Sequence, residues 1–133
     1  MSKASIYIVN ATPTTVAPGN VIPLGNTVRR FGCNIAQDGN TITLKGKGYF
    51  VVNANVTATP TAAGNVGITM LKNGVAVIGA NGVNSVSAVG NSANVSITAI
   101  IRNMCDCDSS IISFVLDTTE SSVDNVAISI CKI

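Results

Sequence analysis

The chain has 133 residues, the size of one domain with a real core, and hydrophobic residues make up 47% of it against 11% charged. No apolar run reaches the roughly 20 residues that a membrane helix needs, which argues against membrane insertion. Eight Lys and Arg against six Asp and Glu leave a formal charge of +2 with no basic stripe, which argues against nucleic-acid binding, and there is no histidine to serve as a general base.

Val and Ile are interleaved with Asn, Thr, Ser and Gly, a β-rich composition. The opening Met1-Ser-Lys-Ala-Ser lacks the apolar core and cleavage site of a secretory signal, so synthesis and folding in a cytoplasm are expected. Ser5–Val9 alternates as a first strand, and Ala11–Asn20, with Pro13, Pro18 and Gly19, is an extended connection. Val21–Leu24 suits a sheet edge, where Pro23 is tolerated. Asn26–Phe31 carries only a weak strand signal, and Ile35 can begin a short strand. Asp38-Gly39 is a hairpin turn that leads into the strand Thr41–Leu44.

The central element is Gly46–Ala58. Phe50, Val52, Ala54, Val56 and Ala58 share one face, and Tyr49, Val51, Asn53, Asn55 and Thr57 share the other. Thr59–Asn65 is a loop. Val66–Lys72 and Val75–Ala80 then form a hairpin around Asn73-Gly74, a pair suited to positive φ. Asn81–Ala93 is expected to be an exposed loop with at most a ragged strand. Asn94–Arg102 alternates again, Asn103–Ser109 is a turn, and Ile111–Leu116 is a strand. Asp117–Asp124 is a polar loop, and Val126–Ile133 is the last strand. With about eight to ten strands and no helix between them, the pattern is that of a β-sandwich, jelly roll or small barrel. The low charge also suggests that some surface is covered by copies of the same chain.

Gly48-Tyr-Phe-Val-Val-Asn-Ala-Asn-Val56 resembles the Gly-x-Tyr-x-Phe strand of C1q-like and tumour-necrosis-factor-like domains, with Phe50 at the Tyr position and Val52 at the Phe position. Ile68–Ile78 resembles that family's Leu-x-Lys-Asn-Gly strand and turn. Val95–Leu116 resembles its paired strands, with Asp106-Cys107-Asp108 in place of Gly-Asp, and Val126–Ile133 resembles its terminal strand without the aromatic ending. The resemblance implies an all-β antiparallel jelly-roll sandwich that assembles as a homotrimer about an apolar axis, with no active site and no cofactor. Small versions of such domains occur in bacteria and phages as head fibres, capsid decorations, tail-associated adhesins and spore-surface filaments.

On this basis residues 1–133 are expected to form one jelly-roll domain, with residues 1–20 as an attachment strand and extended segment. The expected role is a trimeric structural protein of a phage or prophage virion surface. The expected partners are its own copies and a capsid, fibre or tail protein. The alternative is an adhesin module that binds a host receptor or glycan. The trimer interface is assigned to Tyr49, Val51, Val126, Ile128 and Ile130, the last three from the apolar final strand.

Residues able to do chemistry are few. Asp106 and Asp108 share a turn and are weak calcium candidates; a solvated turn is the simpler reading, because calcium gathers more oxygen ligands than two carboxylates supply. Asp117, Glu120 and Asp124 are read in the same way. Cys33, Cys105, Cys107 and Cys131 lack zinc-knuckle spacing and are expected as reduced, buried small hydrophobes, with a disulfide or shared metal site as the alternatives. Arg29-Arg30 reads as a solvated pair or an inter-subunit ion pair more readily than as a contact for an acidic glycan. Asn10, Asn55 and Asn94 head sequon-like triplets that carry no meaning without a signal peptide.

Overall fold

The computed structural model describes residues 3–117 and 119–133. Met1 and Ser2, in the expected attachment segment, and Thr118, in the expected polar loop, lie outside the described residues. The described residues form eleven strands: β1 (Ser5–Asn10), β2 (Thr14–Val16), β3 (Asn26–Phe31), β4 (Ile35–Asp38), β5 (Thr41–Lys45), β6 (Gly48–Pro60), β7 (Gly64–Lys72), β8 (Val75–Val86), β9 (Ala93–Asn103), β10 (Ser109–Leu116) and β11 (Ser121–Lys132).

Alternation decides which face of each strand is covered. In β6 Phe50, Val52, Ala54, Val56 and Ala58 point inward and are at most 2% exposed, while Asn53 and Asn55 face outward. The first sheet runs β3-β1-β11-β6-β9, with β2 paired to the far end of β11; the second runs β4-β5-β10-β7-β8. All pairings are antiparallel. The chain changes sheet between β3 and β4, β5 and β6, β6 and β7, β8 and β9, β9 and β10, and β10 and β11. That exchange makes the two-sheet jelly roll. Ile6, Ile8, Ile128 and Ile130 of the first sheet share a core with Ile42, Leu44, Ile68, Met70, Ile112 and Phe114 of the second.

Turn chemistry follows the sequence. Asn73 and Gly74 both have positive φ (52° and 82°), as a type I′ turn requires, and Asn73 Oδ1 accepts the Ile111 N–H at 2.8 Å. Gly25 (φ 78°) passes so close to β1 that a Cβ there would lie 2.4 Å from the Val9 carbonyl oxygen. Val21 forms a single bridge to Val115, and the Ile22 N–H bonds the Phe114 carbonyl. This segment pairs with the part of β10 that lies beyond its pairing with β5.

Four segments differ from expectation, the first being Thr14–Val16, which forms the short strand β2 against β11 inside the expected connection. Asn26–Phe31 is a full strand, β3, with all six residues exposed. As an edge strand it adds no side chain to the core, so it shows no apolar alternation. The expected loop after Ala80 continues as strand through Val86 at the edge of the second sheet, also largely exposed. The last strand begins at Ser121 rather than Val126, because a register shift between Val123 and Asn125 interrupts its period.

Candidate self-association face

The outward face of the β3-β1-β11-β6-β9 sheet divides into an apolar part and a polar part. At one level Phe31, Ser5, Cys131, Val51 and Ile100 stand opposite one another across five strands. Beside them Tyr49 lies next to Ile133, whose N–H bonds the Tyr49 carbonyl. Phe31 is 64% exposed, Ile100 60%, Ile133 69% and Tyr49 46%. Such apolar side chains gathered on one sheet face form a patch of the kind that marks association. The Arg102 guanidinium lies 5.5 Å from the centre of the Tyr49 ring, within cation–π range.

Further along the same face the cross-strand pairs are polar. Thr98 Oγ1 donates to Asn53 Oδ1 at 3.1 Å, Ser96 Oγ to Asn55 Oδ1 at 2.6 Å, and Asn94 Nδ2 to Thr57 Oγ1 at 3.0 Å. These amides and hydroxyls satisfy one another laterally, so this stretch does not depend on water for all its hydrogen bonds.

Of the residues assigned from sequence to the trimer interface, Tyr49 and Val51 lie on this face. Val126, Ile128 and Ile130 do not. They pair with Val56, Ala54 and Val52 of β6 and are 0% exposed within the single chain. Their apolar face is consumed by the chain's own core, so they have no surface left for a partner. Sequence reasoning missed Phe31, Ile100 and Cys131. Ile100 was visible as an outward residue of Asn94–Arg102, but only the register sets it beside Val51.

Within the expected attachment segment, residues 1–20, the first strand is an interior member of the sheet. Ser5–Asn10 is paired on both sides, to β3 and β11, and buries Ile6 and Ile8, so it has no free edge to offer another protein.

The other candidates are used by the fold itself. Asp106 Oδ1 accepts the Lys47 N–H at 3.1 Å, and Asp108 Oδ2 accepts the Met104 and Cys105 N–H groups at 2.8 and 3.2 Å. Both carboxylates therefore bond main chain, as in a solvated turn. Asp124 accepts Thr59 and Ser122 hydroxyls at 2.6 and 2.9 Å, and Asp117 accepts the Thr69 hydroxyl. Arg29 and Arg30 are exposed on β3, with Arg30 Nε donating to the Ile35 carbonyl at 2.8 Å.

The cysteines are not small buried hydrophobes. Cys105 and Cys107 are bridged to each other, and Cys33 and Cys131 are exposed free thiols. Cys105, Cys107 and Asp108 hold potential ligand atoms within 4.8 Å of one another, but two of the three are the disulfide sulfurs.

This is the fold of C1q and tumour-necrosis-factor domains. Murine APRIL superposes with a TM-score of 0.75 over 99% of this chain and 100% of its own, at 11% identity. The globular domain of zebrafish complement 1qA protein gives 0.67 over 97% and 94%, at 7% identity. The PRD1 vertex protein P5 gives 0.61 over 98% and 96%, at 16% identity. No family model matches the sequence, and no curated protein matches it. At these identities the likeness shows the fold, a C1q/TNF-like jelly roll.

Proposed function

We propose that the chain is a non-enzymatic subunit of a homotrimeric knob on a virion surface, of phage or prophage origin. The observation that carries the proposal is the apolar part of the first sheet's outer face, where Phe31, Tyr49, Val51, Ile100 and Cys131 stand together, beside a stretch of β6 and β9 whose outward pairs are polar. Three copies packed through this face would cover it, which also accounts for a chain with only 11% charged residues. The virion setting is supported by the likeness to the PRD1 vertex protein. A capsid, fibre or tail protein would be the structural partner.

Two measurements test the reading. A solution mass three times 13.5 kDa, together with copurification of the protein with intact particles from a producing culture, is the expected result. A monomer at micromolar concentration overturns the assembly. A protein that stays in the supernatant while particles sediment overturns the virion role.

A further inference from the structure

The turn between β9 and β10 holds its shape without help from the Cys105–Cys107 bond. Asp108 Oδ2 accepts the Met104 and Cys105 N–H groups, and the Asp108 N–H returns to the Cys105 carbonyl at 3.0 Å. From the neighbouring turn between β5 and β6, the Gly46 N–H donates to the Asp108 carbonyl at 3.1 Å and the Lys47 N–H to Asp106 Oδ1 at 3.1 Å. The disulfide closes a ring across a sequence separation of only two, which constrains the unfolded chain little. Cys107 is exposed and Cys105 half-buried, so a thiol reductant can reach the bond.

Opening the bond leaves two thiols and a carboxylate whose donor atoms start within 4.8 Å of one another. Asp108 Oδ1 takes part in none of the turn's bonds and remains a donor. Two Zn–S bonds of about 2.3 Å at a tetrahedral angle place their sulfurs about 3.8 Å apart. The Cα atoms of Cys105 and Cys107 are 5.3 Å apart, a span over which side-chain rotation can bring the sulfurs to that separation. The donor set selects the ion. Calcium and magnesium gather six or more oxygens, and this trio supplies one carboxylate. Copper(I) is satisfied by sulfur alone, which leaves the carboxylate unused. Two thiolates with one carboxylate suit a divalent ion that takes both sulfur and oxygen in four-coordination, which is zinc. The Cys-x-Cys spacing is shorter than that of a zinc knuckle, so one turn supplies both sulfurs, with the third ligand next in sequence. Among the described residues, neither Cys33 nor Cys131 has two further donors of this kind within reach.

We propose that Cys105, Cys107 and Asp108 form a redox-gated zinc site, closed as the disulfide and opened by a dithiol. The reductant's two thiols become its own disulfide, and the Cys105–Cys107 bond takes up the two electrons and two protons. Zinc then displaces both thiol protons to solvent and forms two Zn–S bonds and one Zn–O bond with Asp108, leaving the fourth position to water. The site lies within one chain and does not rest on the trimer.

The test uses the full chain, either left oxidised or reduced with a phosphine that is then removed under argon. Zinc, cobalt(II) and calcium are titrated in separately by calorimetry, with absorption spectra for cobalt. The reduced chain should bind one zinc per chain and no calcium, and its cobalt form should show sulfur-to-metal charge-transfer absorption. The oxidised chain should bind none of the three. Cys105→Ser with Cys107→Ser should lose zinc binding with the circular dichroism of the parent, and the oxidised wild type makes the same comparison without a substitution. Cys33→Ser with Cys131→Ser should bind as the wild type does. Asp108→Asn can still accept the two N–H groups and should weaken binding by about tenfold through the lost charge. Zinc held equally by the oxidised chain, or lost when Cys33 and Cys131 are replaced, would overturn the site. So would one zinc shared by two or three chains, cobalt without the sulfur band, or affinity unchanged by Asp108→Asn.

Discussion

Replacing Ile100 with Asp separates assembly from folding. Ile100 is 60% exposed in the single chain and sits on β9, an edge strand of its sheet, so the carboxylate meets water in an isolated subunit. In the proposed trimer the same position is covered. Completely burying an Ile contributes about 1.5–3 kcal/mol, so covering the exposed part contributes about 1–2 kcal/mol per subunit. An unpaired carboxylate held there costs about 3 kcal/mol more. The sum, about 4–5 kcal/mol per subunit, weakens each interface by more than about a thousandfold. Light scattering across a concentration series should therefore show a folded monomer, with the circular dichroism of the parent. Ile111→Asp is the control: Ile111 is 45% exposed on the outward face of the other sheet and should leave the trimer intact. A trimer that survives Ile100→Asp and dissociates with Ile111→Asp would refute the choice of face.

Other substitutions probe the fold. Ile128→Asp puts a charge between Ile8 and Ala54 at a site with 0% exposure and should abolish folding, read as loss of the cooperative thermal transition; a folded monomer would return β11 to the interface. Asn103, 3% exposed, donates to the Leu44 and Gly46 carbonyls and accepts from Ser110, so Asn103→Ala should lower urea stability by about 2–4 kcal/mol with m unchanged. Cys105→Ser with Cys107→Ser opens a ring across only two residues of separation, so chain entropy predicts a loss of no more than about 1.6 kcal/mol. The turn keeps its Asp108 bonds to Met104 and Cys105, and the melting temperature should fall by only a few degrees.

What the sequence made legible is what alternation and turn chemistry encode. Phe50 to Ala58 read as one buried face and are one, and Asn73-Gly74 read as a positive-φ turn and is one. Alternation names two faces without saying which belongs to the core and which to a partner. Val126, Ile128 and Ile130 looked like an interface for that reason, and the pairing of β11 between β1 and β6 turns them inward. Edge strands leave a weaker trace: β3 needs no apolar side chain, because it flanks β1 and covers nothing. The proposed association face was half visible, in Tyr49 and Val51. Phe31, Cys131 and Ile100 join it only through register across five strands.

Sedimentation equilibrium of the unmodified protein decides whether copies of the chain assemble through the face that holds Val51 and Ile100: a mass three times 13.5 kDa that persists at micromolar concentration is expected, and a mass of 13.5 kDa there rules the assembly out.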